Sequence, residues 1–326
     1  MGSFITDIEQ WLPFRKKLYH IKKSIEGRER RVSYGCENPD KTFYVIGQDD
    51  KGGGLFWLVN KTVMHIAYAE EKGYIPVVDY KSHVTQYTKD GELGKYNIWE
   101  MFFVQPAGYG LEDIEHSRNV IINKMSPSPR KKFLMGQQEF YDRPERIEFF
   151  RDIFKRNIFL NKETAAYLES MRYKYLGDGT RTVGVLSRGT DYVLLRPKGH
   201  PVQPNTEMLI GDVRDTMEKY SCDRVFLATE DADILNEFRK SFGNRLVYID
   251  QKRTSKKEMS GRKFLADERA LDKERNQQEE ALQYLTAIHL LTQCQCFLGG
   301  RTGGTKGVLL MAEGFEYSKV YDLGMY

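Results

Sequence analysis

Along most of the chain, short apolar runs broken by glycine alternate with longer stretches whose apolar residues recur at helical spacing. Thr42-Phe43-Tyr44-Val45-Ile46 is an unbroken apolar run of strand length. Residues 47–54 follow as a turn ending in Gly52-Gly53-Gly54. From Leu55 to Lys72 the apolar positions Leu55, Leu58, Val59, Val63, Ile66 and Ala69 fall on one helical face, and Gly73 ends the helix. Ile75-Pro76-Val77-Val78-Asp79 reads as the next strand. Strand, helix, strand predicts a parallel sheet with a right-handed crossover.

Residues 81–175 alternate less clearly. The pattern predicts short helices at 97–103 and 111–116, a strand at 120–122, a loop at 125–129 and mostly helix over 144–176. Gly177-Asp178-Gly179 marks a domain boundary. Beyond it, strands are expected at 182–187, 224–228, 246–249, 296–298 and 320–323. Helices are expected at 207–220, 232–242, 277–292 and 304–312. Residues 251–275 are strongly polar and read as a loop or ragged helix beside the site. The expected architecture is α/β: two Rossmann-like domains whose parallel sheets face each other across a cleft. They cover residues 34–176 and 177–326, after a basic N-terminal helical segment over 1–33.

That first segment carries apolar residues near its start and then Arg15-Lys16-Lys17, Lys22-Lys23 and Arg28 to Arg31. It is either a helix lying on an anionic membrane surface or a helix packed on its own domain with a solvated basic face. Met1-Gly2 with Thr6 formally matches a myristoylation pattern. The sequence lacks the apolar core of a signal peptide, and no run approaches a membrane span.

Composition narrows the function. A chain of 326 residues exceeds one ordinary core. A net charge of +4 does not imply nucleic acid and suits an enzyme of anionic sugar nucleotides. Cys36, Cys222, Cys294 and Cys296 lack zinc-finger spacing and read as reduced, mostly buried thiols of a cytoplasmic protein.

Ligands of such sheets bind beyond the carboxyl ends of the strands, so the residues after each strand matter most. Gly52, Gly53 and Gly54 either offer backbone N–H groups to a ligand or form a plain tight turn. No G-x-G-x-x-G follows the first strand, which argues against a nicotinamide enzyme. After the 182–187 strand comes Arg188-Gly189-Thr190-Asp191, where Arg188 can reach two oxygens of a diphosphate. A structural Arg–Asp pair is the other reading. Arg196, Lys198 and His200 stand further along among prolines. After the 224–228 strand, Thr229-Glu230-Asp231 offers either a carboxylate for a ribose or a helix cap through Asp231. After the 296–298 strand, Thr302-Gly303-Gly304-Thr305 would present N–H groups at a helix start, without the ending of an ATPase P-loop. Arg301 and Lys306 either add charge there or face solvent. Asp49-Asp50 and the scattered histidines, His65 and His289 within helices, make no convincing metal site.

In this order the glycine turn into a long helix, the Arg188-Gly189-Thr190-Asp191 strand end, Val225-Phe226-Leu227-Ala228-Thr229-Glu230-Asp231 and the last glycine turn resemble the fucosyltransferase superfamily. That superfamily includes the α-1,6-fucosyltransferases, the rhizobial nodulation fucosyltransferase and the protein O-fucosyltransferases. The resemblance spans about residues 42–326 as scattered motifs, and the tail from Val320 to Tyr326 is similar to bacterial surface-polysaccharide relatives. It implies a GT-B glycosyltransferase that inverts the anomeric centre without a metal or cofactor, with GDP-fucose as donor and a glycan or lipid-linked saccharide as acceptor. By the same resemblance Arg188 corresponds to the arginine that holds the donor β-phosphate. Thr229-Glu230-Asp231 corresponds to a Thr-Asp-Asp turn, and Thr302-Gly303-Gly304 to a serine-rich turn at that phosphate. Three positions depart: Leu186 replaces a histidine that helps with guanine, Gly189 a second arginine, and Ala287 stands near the place of an acidic residue.

The expected activity is therefore fucosyl transfer in surface-polysaccharide or glycan synthesis. Arg188 and the 303–305 turn would hold the leaving diphosphate, with Asp191, Glu230 or His200 as base. The alternatives are a same-fold transferase with another nucleotide sugar, and a catalytically silent sugar-nucleotide or glycan-binding protein.

Overall fold

Side chains alternate between two faces along the central strands, and both faces are buried, which divides the protein into layers. The computed structural model describes residues 29–123, 130–189, 193, 195–255, 257–258 and 276–326. The first sheet has the order β1-β4-β2-β3, from Arg30–Val32, Val120–Ile122, Phe43–Ile46 and Ile75–Val78. β2 pairs in parallel with β3 and with β4, and β1 is an antiparallel edge on β4. The second sheet is wholly parallel, order β7-β6-β5-β8-β9, from Leu246–Val247, Arg224–Ala228, Thr182–Leu186, Cys296–Gly300 and Tyr317–Tyr321.

In β5, β6 and β8, Val183, Val185, Val225, Leu227, Cys296 and Leu298 face a core closed by α6 (Thr206–Lys219) and α7 (Ala232–Phe242). Leu186, Phe226 and Phe297 face the other way, into the largest core. That core also holds Tyr44 and Ile46 of β2, so it runs from one sheet to the other. Between them lie α1 (Leu55–Lys72), α4 (Pro144–Asn157), α8 (Gln277–Thr292) and α9 (Gly303–Met311), packed on one another.

Its central position explains why α1 is buried almost all round, polar residues included. Each of those finds a partner, as buried polar groups must. Lys61 meets Asp50 at 2.8 Å, Thr62 meets Tyr80 at 3.3 Å, and His65 meets the Tyr44 hydroxyl at 2.9 Å. Gly73 stops α1 in the left-handed conformation at φ 66°, with its N–H on the carbonyls of Ala69 and Glu70.

The pattern and the structure part at four places. Helix was expected through residue 33, but Arg30–Val32 is a strand, bound to β4 in the register Arg30 to Ile122. The rest of that segment, with its membrane-surface reading, lies outside the described residues apart from Glu29 and Ser33, as do 124–129. Residues 97–103 form turns, not a helix: the Asn97 side chain bonds back to β3, accepting from Tyr80 N and donating to Val78 O. The helix over 144–176 is two helices, α4 and α5 (Lys162–Tyr175), because the intervening chain pairs with residues 102–104. The last strand begins at Tyr317 instead of 320, opposite Cys296, with Tyr317 packed against one core and Val320 against the other.

Candidate active site

Strand order defines where a ligand fits. From β5 the chain winds outward through β6 and β7, then returns to the other flank of β5 with β8 and β9. The crevice of such a sheet opens where the winding reverses, between β5 and β8, beyond their carboxyl ends. The register aligns Ala228, Leu186 and Gly299 across β6, β5 and β8. Two residues past that row stand Glu230, Arg188 and Arg301.

Arg188 is about one-third exposed, and its Nε lies 4.0 Å from Glu230 Oε1. The same carboxylate oxygen accepts the Gly189 N–H at 3.2 Å. Glu230 thus orients the arginine and its loop. Asp231 is the helix cap: it is fully buried and accepts from Asp233 N and Ile234 N at the start of α7. A Cβ at position 189 would lie 2.1 Å from the Asp231 carboxylate, so the second arginine of the resembling motif has no room here. Thr229 is buried; its hydroxyl accepts Asp231 N, and its carbonyl accepts from Gln251 and Arg253. It supports the turn from behind. Of the proposed proton acceptors, Asp191 lies outside the described residues, and His200 sits on the strand-like segment that pairs with the C-terminal tail.

Across the switch point, Thr302 caps α9 with its side chain, accepting Thr305 N at 3.1 Å, and Lys306 N bonds to the Thr302 carbonyl. The N–H groups of Gly303 and Gly304, in the first helical turn, have no protein acceptor among the described residues. They and the helix dipole make an anion site of ordinary kind, one strand away from Arg188. A side chain at 304 would meet the Tyr284 hydroxyl at 2.5 Å, so glycine lets this turn pack close to α8.

Arg301 and Lys306 neither add charge to the turn nor face solvent. Arg301 is 7 % exposed and pairs with Asp142 and, at 3.2 Å, with Asp322. Lys306 is 6 % exposed and donates to the Met135 carbonyl at 2.5 Å. Between them the Tyr141 hydroxyl donates to the Thr302 carbonyl at 2.7 Å. Residues 135–142, including α3 (Gln137–Tyr141), therefore strap the turn at three successive points.

Burial lowers the Lys306 pKa from 10.5 to about 8. The unfolded chain holds this proton up to its own higher pKa, so between about 8 and 10.5 unfolding takes up a proton. The contribution of Lys306 to stability therefore rises with pH across that window. Thermal melts at about pH 7 and pH 9.5 should show wild type gaining on Lys306→Met by on the order of 2 kcal/mol. Parallel curves for the two proteins would contradict the burial of a strained ammonium.

The first glycine turn comes to the same place. Gly54 starts α1, and a Cβ there would approach Tyr284 at 3.9 Å. Asn60, one and a half turns along α1, donates to the Gly303 carbonyl at 3.1 Å, and its own Oδ1 is buried without a partner among the described residues. The N–H groups of Gly53 and Leu55 are taken, by Asp50 and by the Tyr87 hydroxyl. This turn is thus braced internally and serves as a wall, with less free donor capacity than the turn at Gly303. Asp50 is likewise structural, bonded to Lys61 and Gly53, while Asp49 accepts Val84 N at 2.8 Å and stays exposed. Asn60, Tyr141 and Tyr284 carried no signal in the sequence beyond a polar residue on an apolar helical face.

No protein-family model and no curated protein matches the sequence. Among solved structures, the chain is similar to NodZ alpha-1,6-fucosyltransferase soaked with GDP-fucose. The two are 18% identical, and the match covers 83% of this chain and 93% of that one at a TM-score of 0.47. A fucosyltransferase NodZ structure from Bradyrhizobium gives 17% identity, coverage of 83% and 94%, and a TM-score of 0.47. POFUT1 in complex with GDP gives 10% identity, coverage of 86% and 99%, and a TM-score of 0.48.

Proposed function

We propose that the protein is an inverting glycosyltransferase that takes its sugar from a nucleoside diphosphate, with GDP-fucose as the donor. The observation that carries this reading is the placement, on the adjacent ends of β5 and β8, of Arg188 and of the Gly303 and Gly304 N–H groups, which have no protein acceptor among the described residues. A permanent cation and two successive amides of a helix start, on adjacent strand ends, suit a diphosphate. Glu230 faces the guanidinium at 4.0 Å and anchors the following N–H of Gly189, and the strap at 135–142 holds the turn that carries the amides.

Transfer then proceeds as a displacement. The acceptor hydroxyl forms a bond to the anomeric carbon from the face opposite the diphosphate, and the bond from that carbon to the β-phosphate oxygen breaks. The acceptor proton leaves to a base, and the electron pair stays on the diphosphate. Negative charge grows on that leaving group, and the preorganised donors stabilise it more than the ground state. The acceptor is a glycan or a lipid-linked saccharide, in surface-polysaccharide or glycan assembly. Four unpaired cysteines fit a reducing compartment, and the basic N-terminal segment fits contact with an anionic membrane surface.

The choice of GDP-fucose follows the motif resemblance and meets its hardest test at the base. Leu186, where the motif has histidine, is buried in the shared core. Thermal melts with GDP, UDP and dTDP measure the outcome: GDP should stabilise by about 2.7 kcal/mol at a hundred times its Kd. Stabilisation by UDP and not GDP would keep the transferase and reject the fucosyl donor. Stabilisation by none would remove the sugar-nucleotide reading.

A further inference from the structure

Trp57 is exposed to 43 % of its surface, yet its polar atom and one edge of its ring are both engaged. Its Nε1 donates to Asp50 Oδ2 at 2.6 Å. That carboxylate is itself locked, accepting from Lys61 Nζ at 2.8 Å and from Gly53 N at 2.8 Å. Gly53 lies flush against the indole edge: a Cβ there would come 2.1 Å from the ring. The Lys61 ammonium sits 5.7 Å from the ring centroid. An exposed ring with its polar atom already bonded presents apolar surface at little further cost in side-chain entropy.

Its place in the fold says what that surface meets. Trp57 stands in the first turn of α1, beyond the carboxyl end of β2. Asn60, three residues on and so about 5–6 Å away between Cβ atoms, touches Gly303 of the diphosphate turn. Trp57 therefore stands within one helical turn of the residue by which α1 touches that turn, on the side of the first sheet. Asp49, whose side chain is 73% exposed, and His83 beside it supply polar partners for hydroxyls at the same strand end.

We propose that Trp57 is the stacking platform for a pyranose ring of the acceptor saccharide. The apolar C–H face of the sugar lies on the indole, and its hydroxyls reach the polar rim. This rests on the glycosyltransferase reading above for the word acceptor, but the binding itself is separately measurable.

The test titrates the full chain with cellotetraose, maltotetraose, mannotetraose and chitotetraose, following tryptophan emission and heat. At least one saccharide should shift wild-type emission. Trp57→Phe should lose the emission change while still binding by calorimetry, because a flat ring remains. Trp57→Ala and Trp57→Leu should each bind about tenfold more weakly, with GDP-dependent thermal shifts equal to wild type. Unchanged saccharide affinity in the alanine and leucine variants would overturn the proposal, and so would the absence of binding to wild type across the panel. Loss of the GDP shift in wild type would instead strike the donor reading, leaving the Trp57 comparison to be read from the saccharide titrations.

Discussion

Arg188→Ala is expected to lower turnover by roughly 100- to 1000-fold, with the protein still folded. Removing one preorganised donor from a developing anion typically costs about 3–4 kcal/mol of barrier. The guanidinium is partly exposed and stands beyond the strand, so its loss opens no core cavity. Glu230 would remain in its bond to the Gly189 N–H, so the loop keeps its anchor. Turnover with GDP-fucose and melting temperature, measured together, check this. Near-wild-type turnover with an unchanged melting temperature would remove Arg188 from the chemistry.

Gly307→Val is expected to destabilise the protein by about 3 kcal/mol, the upper end of ordinary overpacking. A Cβ at 307 would lie 2.2 Å from the Phe56 ring, and Phe56 is 1 % exposed. This is the crossing of α1 and α9, where the helix that follows the first glycine turn meets the helix that follows the last. Neither helix can shift freely: Asn60 ties α1 to Gly303, and Arg151 on α4 donates to the Leu309 carbonyl of α9. Chemical denaturation gives the number directly. A change below about 0.5 kcal/mol, the usual scale of surface substitutions, would show that the two helices are not closely packed.

Much of this frame was legible in the sequence, because it depends on local rules. Glycine and apolar period located α1, α7 and α8 to the residue, and the strand ends where Arg188, Glu230 and the Gly303 turn stand. The Asp231 cap was one of two readings, and the structure chose it. What stayed hidden depends on contacts between distant segments. Lys306 looks like a surface charge until the Met135 carbonyl, from an unrelated stretch, is brought over it. Arg301 is a solvent residue in sequence and a buried anchor in space, because Asp142 and Asp322 converge on it. Asn60 reaches a carbonyl 243 residues away, which no periodicity announces. The departure at Gly189 has a similarly non-local cause, the Asp231 carboxylate filling the space a side chain would take. The turns at 97–103 carry a helical pattern, but the side chain of Asn97 competes for the backbone.

A crystal structure of the full chain with GDP tests the central claim most directly. The diphosphate is expected between β5 and β8, with its oxygens within hydrogen-bond distance of the N–H groups of Gly303 and Gly304 and of the Arg188 guanidinium. A diphosphate bound elsewhere, with Arg188 and the Gly303 turn left empty, would contradict it.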